Sequence, residues 1–495
     1  MSAEETARED QLLAALQGTA AVEEPAVSPV RQFRLRLDEF GRATAYLLGK
    51  DGHFAGIFHS ATGDSLRALL ALRGELVVLR APLDGARSYP SISRLTPAAH
   101  FPERELHDVS GVVPLDHPQL EPALRPNADE LERVVTGPET FVIPYGPIRS
   151  GVFEAIQFPI DTGGEDILAL SVRPYFKRRN LEARFTGLDH DHGAYLAERV
   201  AGTESVAEAL AFAQAVERVA DVEAPRLAQR WRAIHAELER IANHLDVGVK
   251  LAEDAALSVG SARFGALKED VMRLRARLCG NRFGRGVVTP GGIRSEPLLS
   301  PAELREAVDA FEEDLRRDRS LLLATASFTD RLIGSGGLDG ETVNRYGGVG
   351  PIARACSLGI DARLERPYDA YGRLGFRIAR ATNGDAMARF DVRLEEIDQS
   401  LHVIRQALER MDRESAALRH PFTDPSGEGY GWAEAPNGEV IYWVALEAGR
   451  LQEVRIVSPS LRNWPLLSES YRGDVLTDVS FIEHSFGLTP AGADR

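Results

Sequence analysis

Cysteine, the residue type most used to hold redox metals, is scarce in this chain. Its two cysteines are Cys279 and Cys356, which lie far apart in the sequence, and neither belongs to a Cys-x-x-Cys motif. Iron–sulfur clusters, zinc ribbons and disulfide frameworks all need several paired cysteines. The chain therefore cannot build any of them alone, and both thiols are interpreted as reduced residues packed as small hydrophobes.

Two further kinds of cluster have the composition of a binding site. His190 and His192 flank Asp191; such histidines share one face of a strand but lie on opposite sides of a helix. No third ligand follows nearby, so a polar loop is favoured over a metal site. The glycine clusters at 334–337 and 347–351 lack the G-x-G-x-x-G spacing of a dinucleotide site, and they are read mainly as turns.

The elements that must position such residues are mainly helical in the second half of the chain. Apolar residues recur at alternating spacings of four and three from Leu227 to Leu245, which predicts a helix over about 225–251. A similar pattern predicts a helix near 391–413. Residues 141–172 are strand-like with a turn at 161–164, and 436–495 are predicted to alternate short strands with loops.

The N-terminal part has a different character. Residues 1–28 are predicted to form a short frayed helix and a flexible lead-in. Strand-like stretches at 33–37 and 76–79, with a predicted helix at 65–73 between them, indicate a small α+β domain over 29–127. Pro126 and Asn127 favour a break there, and the larger domain is assigned to 135–495.

Composition limits the possible functions of the chain. The 495 residues carry a net charge of −16, which argues against non-specific binding to nucleic acid. No run approaches the roughly 20 apolar residues of a membrane-spanning helix, and the acidic N-terminus lacks the features of a signal peptide. Any association with a membrane must therefore come through a partner.

Several segments, taken in order, resemble one redox family. Residues 101–111 and 117–120 resemble the 30-kDa-type subunit of complex I, a domain that related hydrogenases fuse to the front of their large subunit. The later segments resemble the large subunit of group 4 nickel–iron hydrogenases (the energy-converting, formate hydrogenlyase type) and the quinone-site subunit of complex I. These segments lie at 176–182, 198–204, 211–217, 237–245, 280–283, 290–292, 350–355, 361–363, 384–393, 435–439 and 459–464.

This resemblance implies an α+β fold, in which a mainly helical hydrogenase-large-subunit-like domain with peripheral β-strands follows the small domain. It also locates four missing metal ligands. Ala201, Glu204, Thr489 and Gly492 stand where the family's nickel-binding cysteines would be. Four soft thiolates hold nickel in that site, so we expect no nickel–iron centre, no metal and no cofactor bound by this chain alone.

Two interpretations of the vacated site stay open. In the first, it is a pocket for quinone or a similar acceptor; the loop at 145–151 lacks the family's histidine, and Tyr195 is near the expected tyrosine position. Arg149 and Glu204 are then candidates to replace the proton donors. An Arg–Glu pair in a closed cavity would tune a quinone carbonyl or merely fill space as an ion pair. In the second, the subunit is a non-catalytic scaffold.

The resemblance also implies partners. An iron–sulfur cluster is expected in a small partner subunit, near whose interface Arg179 and His244 are candidates, and antiporter-like membrane subunits are expected beyond it. A structural hydrogen bond is at least as good an explanation for each of these two residues. The electron donor, whether NADH, formate or ferredoxin, belongs to other chains, so the complex is expected to be of the NADH:quinone oxidoreductase or formate hydrogenlyase type.

Overall fold

The computed structural model of the chain divides into two compact units. One comprises Met1–Arg125 with Arg345–Gly347, and the other comprises Pro126–Asn344 with Gly348–Arg495. The structure describes all residues except 1–15, 17, 18, 28, 125, 130, 132, 150–154, 410 and 412–416. Much of the predicted frayed helix near the N-terminus therefore lies outside the described residues.

The first unit is built on a five-stranded sheet with the strand order β1-β2-β5-β4-β3. Strands β2 and β5 pair in parallel, whereas the other neighbours pair antiparallel. A short parallel pair, β6 and β7, lies outside this sheet. The elements are β1 (Val22–Val27), β2 (Val30–Arg34), α1 (Phe40–Leu48), β3 (His53–Ser60), β4 (Ser65–Leu72), β5 (Glu75–Pro82), β6 (Ser88–Pro90), α2 (His100–Ser110) and β7 (Val113–Leu115).

Two expectations for this unit were wrong. The segment at 65–73, predicted to be a helix, is strand β4, whose eight residues are all buried. Arg73 and Gly74 both have positive φ and form the two-residue connection to β5, a geometry that favours a hairpin. The second error concerns the lead-in, because its residues Val22–Val27 pair with β2.

The segment at 101–111 has a structural role in this unit. It forms helix α2, and the buried Glu103 carboxylate accepts hydrogen bonds from the hydroxyls of Ser91 and Ser93 and from the amide of Ile92. Four donors in all reach this carboxylate, because the amide of Ser93 contributes as well. The segment at 101–111 therefore supplies a buried carboxylate that holds residues 91–93 in place.

The second unit is mainly helical, with strands at its periphery, so the chain as a whole has the expected α+β fold. The strands are β8 (Phe141–Tyr145), β9 (Phe158–Thr162), β10 (Ile167–Leu170), β11 (Val288–Thr289), β12 (Gly292–Ile293), β13 (Gly427–Ala435), β14 (Gly438–Glu447) and β15 (Arg450–Val457). The first helices are α3 (Leu181–Arg184), α4 (His190–Ala197), α5 (Ser205–Ala220), α6 (Arg226–Asp254) and α7 (Ser258–Cys279). The remaining helices are α8 (Pro301–Leu323), α9 (Ala326–Leu332), α10 (Gly340–Arg345), α11 (Gly350–Ala355), α12 (Ala362–Glu365), α13 (Ala386–Glu409), α14 (Pro459–Ser470) and α15 (Val479–Phe486).

The helices predicted from apolar spacing are present as α6 and α13. Helix α5 packs directly on strand β13, where a side chain at Gly429 or Gly431 would overlap the carbonyl oxygens of Ala215 and Ala211. Glycine at these two positions lets the helix approach the strand closely. This contact places the start of α5 beside the β13–β14 hairpin.

The C-terminal region contains more helix than its sequence indicated. Strands β14 and β15 were expected, but α14 and α15 replace the predicted loops. Ser458 caps α14 by accepting from the amide of Ser460, and Pro459 occupies its first turn. Pro465 lies inside the same helix, and an interior proline usually signals a helix end, which explains the error.

Candidate functional site

The two segments predicted to correspond to the family's nickel-binding motifs lie side by side, joined by Arg179. Its Nη1 donates to the carbonyl of Arg199 (2.9 Å), and its Nη2 donates to those of Val200 and Ala491 (both 2.6 Å). The backbone amide of Arg179 also donates to the carbonyl of Asp494 (2.8 Å). A guanidinium presents several donors in a fixed plane, so this one residue holds both segments together.

The four vacated positions do not fit a set of nickel ligands. Ala201 is fully buried and has no donor atom, and the Oγ1 of Thr489 accepts a hydrogen bond from the amide of Ala491. A Cβ atom at Gly492 would overlap the Oγ of Ser458. These four residues therefore supply no thiolate, and the position of Gly492 has no space for one. No chemical step is assigned to a nickel–iron centre here.

Glu204 occupies the fourth of these positions and is completely buried at the start of α5. Its Oε1 accepts from the Nδ2 of Asn437 (2.9 Å) in the β13–β14 turn. Its Oε2 has no hydrogen-bond partner in the described part of the chain. Burial raises the pKa of this carboxyl to about 7, with a further contribution from nearby Glu239.

Glu208 lies one helical turn further along α5 and is also fully buried. Its Oε2 accepts from the hydroxyl of Tyr442 (2.6 Å), while its Oε1 lacks a partner among the described residues. Burial raises the pKa of Glu208 to about 8, and the charges of Glu204 and Glu239 add to this shift. Sequence analysis missed this residue, although its spacing of four from Glu204 on a helix places both on one face.

Glu239 approaches the same region from helix α6. Its two oxygens accept from the backbone amides of Val206 and Ala207 (2.8 and 3.0 Å), and Arg275 lies 3.5 Å away. These donors satisfy the charged form of Glu239, although burial still raises its pKa. Glu239 therefore contributes negative charge near Glu204 and Glu208 and fixes the first turn of α5.

A chain of buried polar groups continues from Glu204 into the core. Asn437 accepts from Arg393 (3.0 Å), whose Nη1 contacts the Nδ1 of His244 (3.0 Å). The Nε2 of His244 contacts Glu396 (2.8 Å). Burial lowers the pKa of His244 to about 3, in spite of the opposing hydrogen bond and charge of Glu396.

This position changes the prediction made for His244. The side chain is 1% exposed, so it makes no direct contact with a partner in this conformation, whereas Arg179 is partly exposed. His244 is part of an internal network, which favours the structural explanation of this residue. Arg179 remains a candidate for the partner interface.

Arg149 does not pair with Glu204. Its guanidinium makes a two-pronged ion pair with Glu483 of α15 (2.6 and 2.7 Å) and lies over the rings of Tyr145 and Phe158. The expected Arg–Glu pair thus exists with a different glutamate. The sequence could not reveal this, because Arg149 and Glu483 are far apart along the chain.

Tyr195 lies on helix α4 and is 40% exposed. The guanidinium of Arg294 stacks on its ring, 4.0 Å from the centroid. His190 and His192 lie on the same helix rather than in a loop, and Asp189 caps its N-terminus. Among the described residues, no group of three or more His, Cys, Asp or Glu side chains is arranged to hold a metal ion.

A cavity elsewhere in this unit has a volume of about 390 Å³. It is lined largely by polar residues, including Glu217, Arg218, Asp369 and Arg373. None of the candidate site residues named from the sequence lines it, although Gln214 and Glu217 belong to the segment at 211–217.

None of the described helices is both long enough and apolar enough to cross a membrane.

Comparison with known proteins gives a consistent result. Residues 262–421 match the family described as the 49 Kd subunit of respiratory-chain NADH dehydrogenase, and residues 44–135 match its 30 Kd subunit. Formate hydrogenlyase subunit 5 of Escherichia coli is 27% identical over 451 residues, which cover 85% of this chain and 79% of that protein. A component of the NADH-quinone oxidoreductase of Thermosipho melanesiensis is 30% identical over 315 residues, covering 62% of this chain and 85% of that protein.

A solved structure is similar over most of the chain. It is a chain of the membrane-bound sulfane sulfur reductase, described as an archaeal respiratory membrane complex. The TM-score is 0.68 and the identity is 25%, with 72% of this chain and 99% of that chain covered. The curated relatives and this structure all belong to redox complexes with several subunits.

Proposed function

The chain belongs to the family of the complex I 49-kDa subunit and the related group 4 hydrogenase large subunits, with a 30-kDa-type domain fused in front, and we propose from this premise that it is a core subunit of a complex-I-like membrane oxidoreductase. In this role it helps to pass electrons from an iron–sulfur partner subunit to quinone or a similar acceptor, without a nickel–iron centre. The partner subunits include antiporter-like membrane proteins, and the chain lies peripherally at the cytoplasmic face of the cell membrane.

The observation that supports this proposal is the junction of the two segments that the resemblance assigns to the family's metal site. Arg179 holds 199–200 against 491 and 494, where the resemblance would place the ligands. Glu204, a residue that can carry a proton, lies buried at that junction. A redox role that needs protons, as quinone reduction does, makes use of such a group.

Acceptor reduction by the intact purified complex tests this function. The complex is assayed with short-chain ubiquinone and menaquinone analogues and with polysulfide, because a similar chain belongs to a sulfane sulfur reductase. Glu204→Gln and Tyr195→Phe are compared with Glu269→Gln, a surface glutamate on α7. Loss of acceptor reduction in Glu204→Gln, with all subunits still assembled, supports the redox role.

A scaffold role without chemistry is the second candidate, and the packing favours it at two points. Both terminal nitrogens of Arg149 donate to Glu483, and a Cβ atom at Gly492 would overlap the Oγ of Ser458. In that case the chain docks the iron–sulfur subunit on the membrane subunits. Normal turnover of both Glu204→Gln and Tyr195→Phe complexes would favour the scaffold over the acceptor pocket.

The partner proposal has its own test. Affinity purification of the full chain from detergent-solubilised membranes, followed by mass spectrometry, should recover a small iron–sulfur protein and antiporter-like membrane proteins. Recovery of the chain alone, with the membrane fraction free of it, would contradict both the partners and the membrane location.

A further inference from the structure

We propose that Glu204 and Glu208 form a buried proton store at the junction of the two segments that Arg179 joins. The store holds at least one proton at rest and delivers it to the reduced acceptor. Delivery of the proton to the acceptor rests on the proposed function, whereas the existence of the bound proton does not.

The geometry of the two carboxyls points to a bound proton. Glu204 is the residue just before α5, and Glu208 lies one helical turn later. The amide of Glu208 donates to the carbonyl of Glu204 (2.9 Å). Each is completely buried and each has one hydrogen-bonded oxygen and one oxygen without a partner in the described structure. An ionised carboxylate needs donors at both oxygens, and a buried one without them is unstable. A carboxyl proton, shared directly or through a buried water, removes that cost.

The charges around the pair agree with this assignment. Glu239 on α6 adds negative charge, and its two oxygens accept hydrogen bonds from backbone amides. On the positive side, Arg393 of α13 directs its donors to His244, Asn437 and the carbonyl of Phe486. Arg495 donates through its Nε to Glu182. Their attraction for the pair is smaller than the effect of burial, so the pKa values of Glu204 and Glu208 rise to about 7 and about 8.

These values allow the proton to move as well as to be held. A donor whose pKa lies near the working pH exchanges its proton most effectively. When the acceptor gains two electrons from the iron–sulfur partner, the O–H bond of the carboxyl breaks and an O–H bond forms on the reduced acceptor oxygen. The acceptor takes up two protons with the two electrons, one from this pair and one from the solvent, and the carboxylate then recovers its proton from the solvent.

Infrared spectroscopy of the intact complex tests the store without any turnover. At about pH 6, below the pKa of both groups, the wild type should show a protonated-carboxyl C=O stretch that shifts in D2O. Burial also raises the pKa values of Glu198 and Glu365 to about 7, so the test is the difference between variant and wild type. Glu208→Gln should remove one component of the band, and Glu204→Gln should change it. Glu269→Gln, which replaces a surface carboxylate already ionised by its arginine partners, should leave it unchanged. An unchanged band in Glu208→Gln would overturn the store.

Turnover then tests delivery. With an acceptor that the wild-type complex reduces, Glu208→Gln should lower kcat by about 100-fold with little change in KM. The variant should also show a larger solvent isotope effect than the wild type. Wild-type kcat and isotope effect in Glu208→Gln would overturn delivery. If the wild type reduces none of the acceptors, the proposed function fails, while the infrared band still decides whether the store exists.

Discussion

Two groups of buried carboxylates within the second unit differ in what surrounds them. Glu204 and Glu208 have one neutral hydrogen-bond donor each and carry raised pKa values. Glu237, equally buried on α6, accepts from Arg363, Arg240, Tyr371 and Ser400. Burial alone would raise its pKa, but the two arginines and the hydroxyls lower it to about 2.

The difference shows that burial does not fix the charge of a carboxyl. We call the cluster around Glu237 the arginine network; its members are Glu237, Arg240, Arg354, Asp361, Arg363, Glu396 and Glu434. Inside it, the arginines lower the pKa values of Glu237, Asp361 and Glu396 and keep these carboxylates ionised, so the network fixes the helices around it. At Glu204 and Glu208 the same side chain has no cation within hydrogen-bonding distance among the described residues, and it is left able to exchange a proton.

Removing Glu237 should have the largest effect on stability. Glu237→Ala leaves Arg363 and Arg240 buried without this partner, which costs about 3–5 kcal/mol of the free energy of unfolding. Urea unfolding of the intact chain measures this loss, with Glu269→Gln as a surface control. A loss below about 1 kcal/mol would show that the arginine network does not depend on this carboxylate.

The pH profile of the arginine network has a definite sign. Because the folded-state pKa of Glu237 is below its usual 4.5, its stabilisation is present above pH 4.5. It is lost as the pH falls from about 4.5 towards about 2. Unfolding measured over this range should show a smaller acid-induced loss in Glu237→Ala than in the wild type.

Arg179→Ala should have the next largest effect, about 1.5–3 kcal/mol, because charged hydrogen bonds to three carbonyls are lost. The C-terminal segment should become more sensitive to proteolysis, since its tie to 199–200 is gone. Arg184→Ala, at an exposed arginine on α3, is the matched control. Equal protease sensitivity in both variants would contradict the joining role of Arg179.

Adding a methyl group at Gly492 should destabilise the chain by about 1–3 kcal/mol, because Gly492→Ala overlaps Ser458. Thermal unfolding measures the loss. Combining the change with Ser458→Gly should recover part of it, which distinguishes steric overlap from a change in backbone flexibility. No loss in Gly492→Ala would show that the vacated position has room for a ligand side chain.

The smallest effect is expected for Glu208→Gln near pH 5, below about 1 kcal/mol, because glutamine resembles the protonated carboxyl. As the pH rises from 4.5 through about 8, the raised pKa of Glu208 means that the wild type loses stability. The variant lacks this titration, so it should become more stable than the wild type at high pH. Parallel pH profiles of unfolding would contradict a protonated Glu208.

The sequence indicated the fold where local pattern decides structure. The apolar spacing over 225–251 corresponds closely to α6, and the strands around 141–172 are present. The segment at 65–72 was wrong, because leucine and alanine suit a helix while its two buried faces and its turn impose a strand. Local propensity is a weak guide where tertiary packing is strong.

In the candidate site, too, some features could be predicted from the sequence and others could not. The four vacated positions followed from motif order alone, and the structure places their two segments together. The partners of Glu204 and Arg149 did not follow, because Asn437 and Glu483 lie more than 200 positions away. Pairing at such a separation leaves no periodic trace in a single sequence, so the Arg149–Glu204 pair was wrong. Glu208 was missed for another reason, because its spacing of four from Glu204 was visible in the sequence and was not used.

The metal content of the intact complex tests the central claim most directly. The complex is purified without nickel affinity chromatography and analysed for nickel and iron by plasma mass spectrometry. We expect iron from the partner's clusters and no nickel above the buffer background, because Ala201, Glu204, Thr489 and Gly492 offer no thiolate. One nickel per chain, retained through gel filtration, would contradict the proposal that this chain works without a nickel–iron centre.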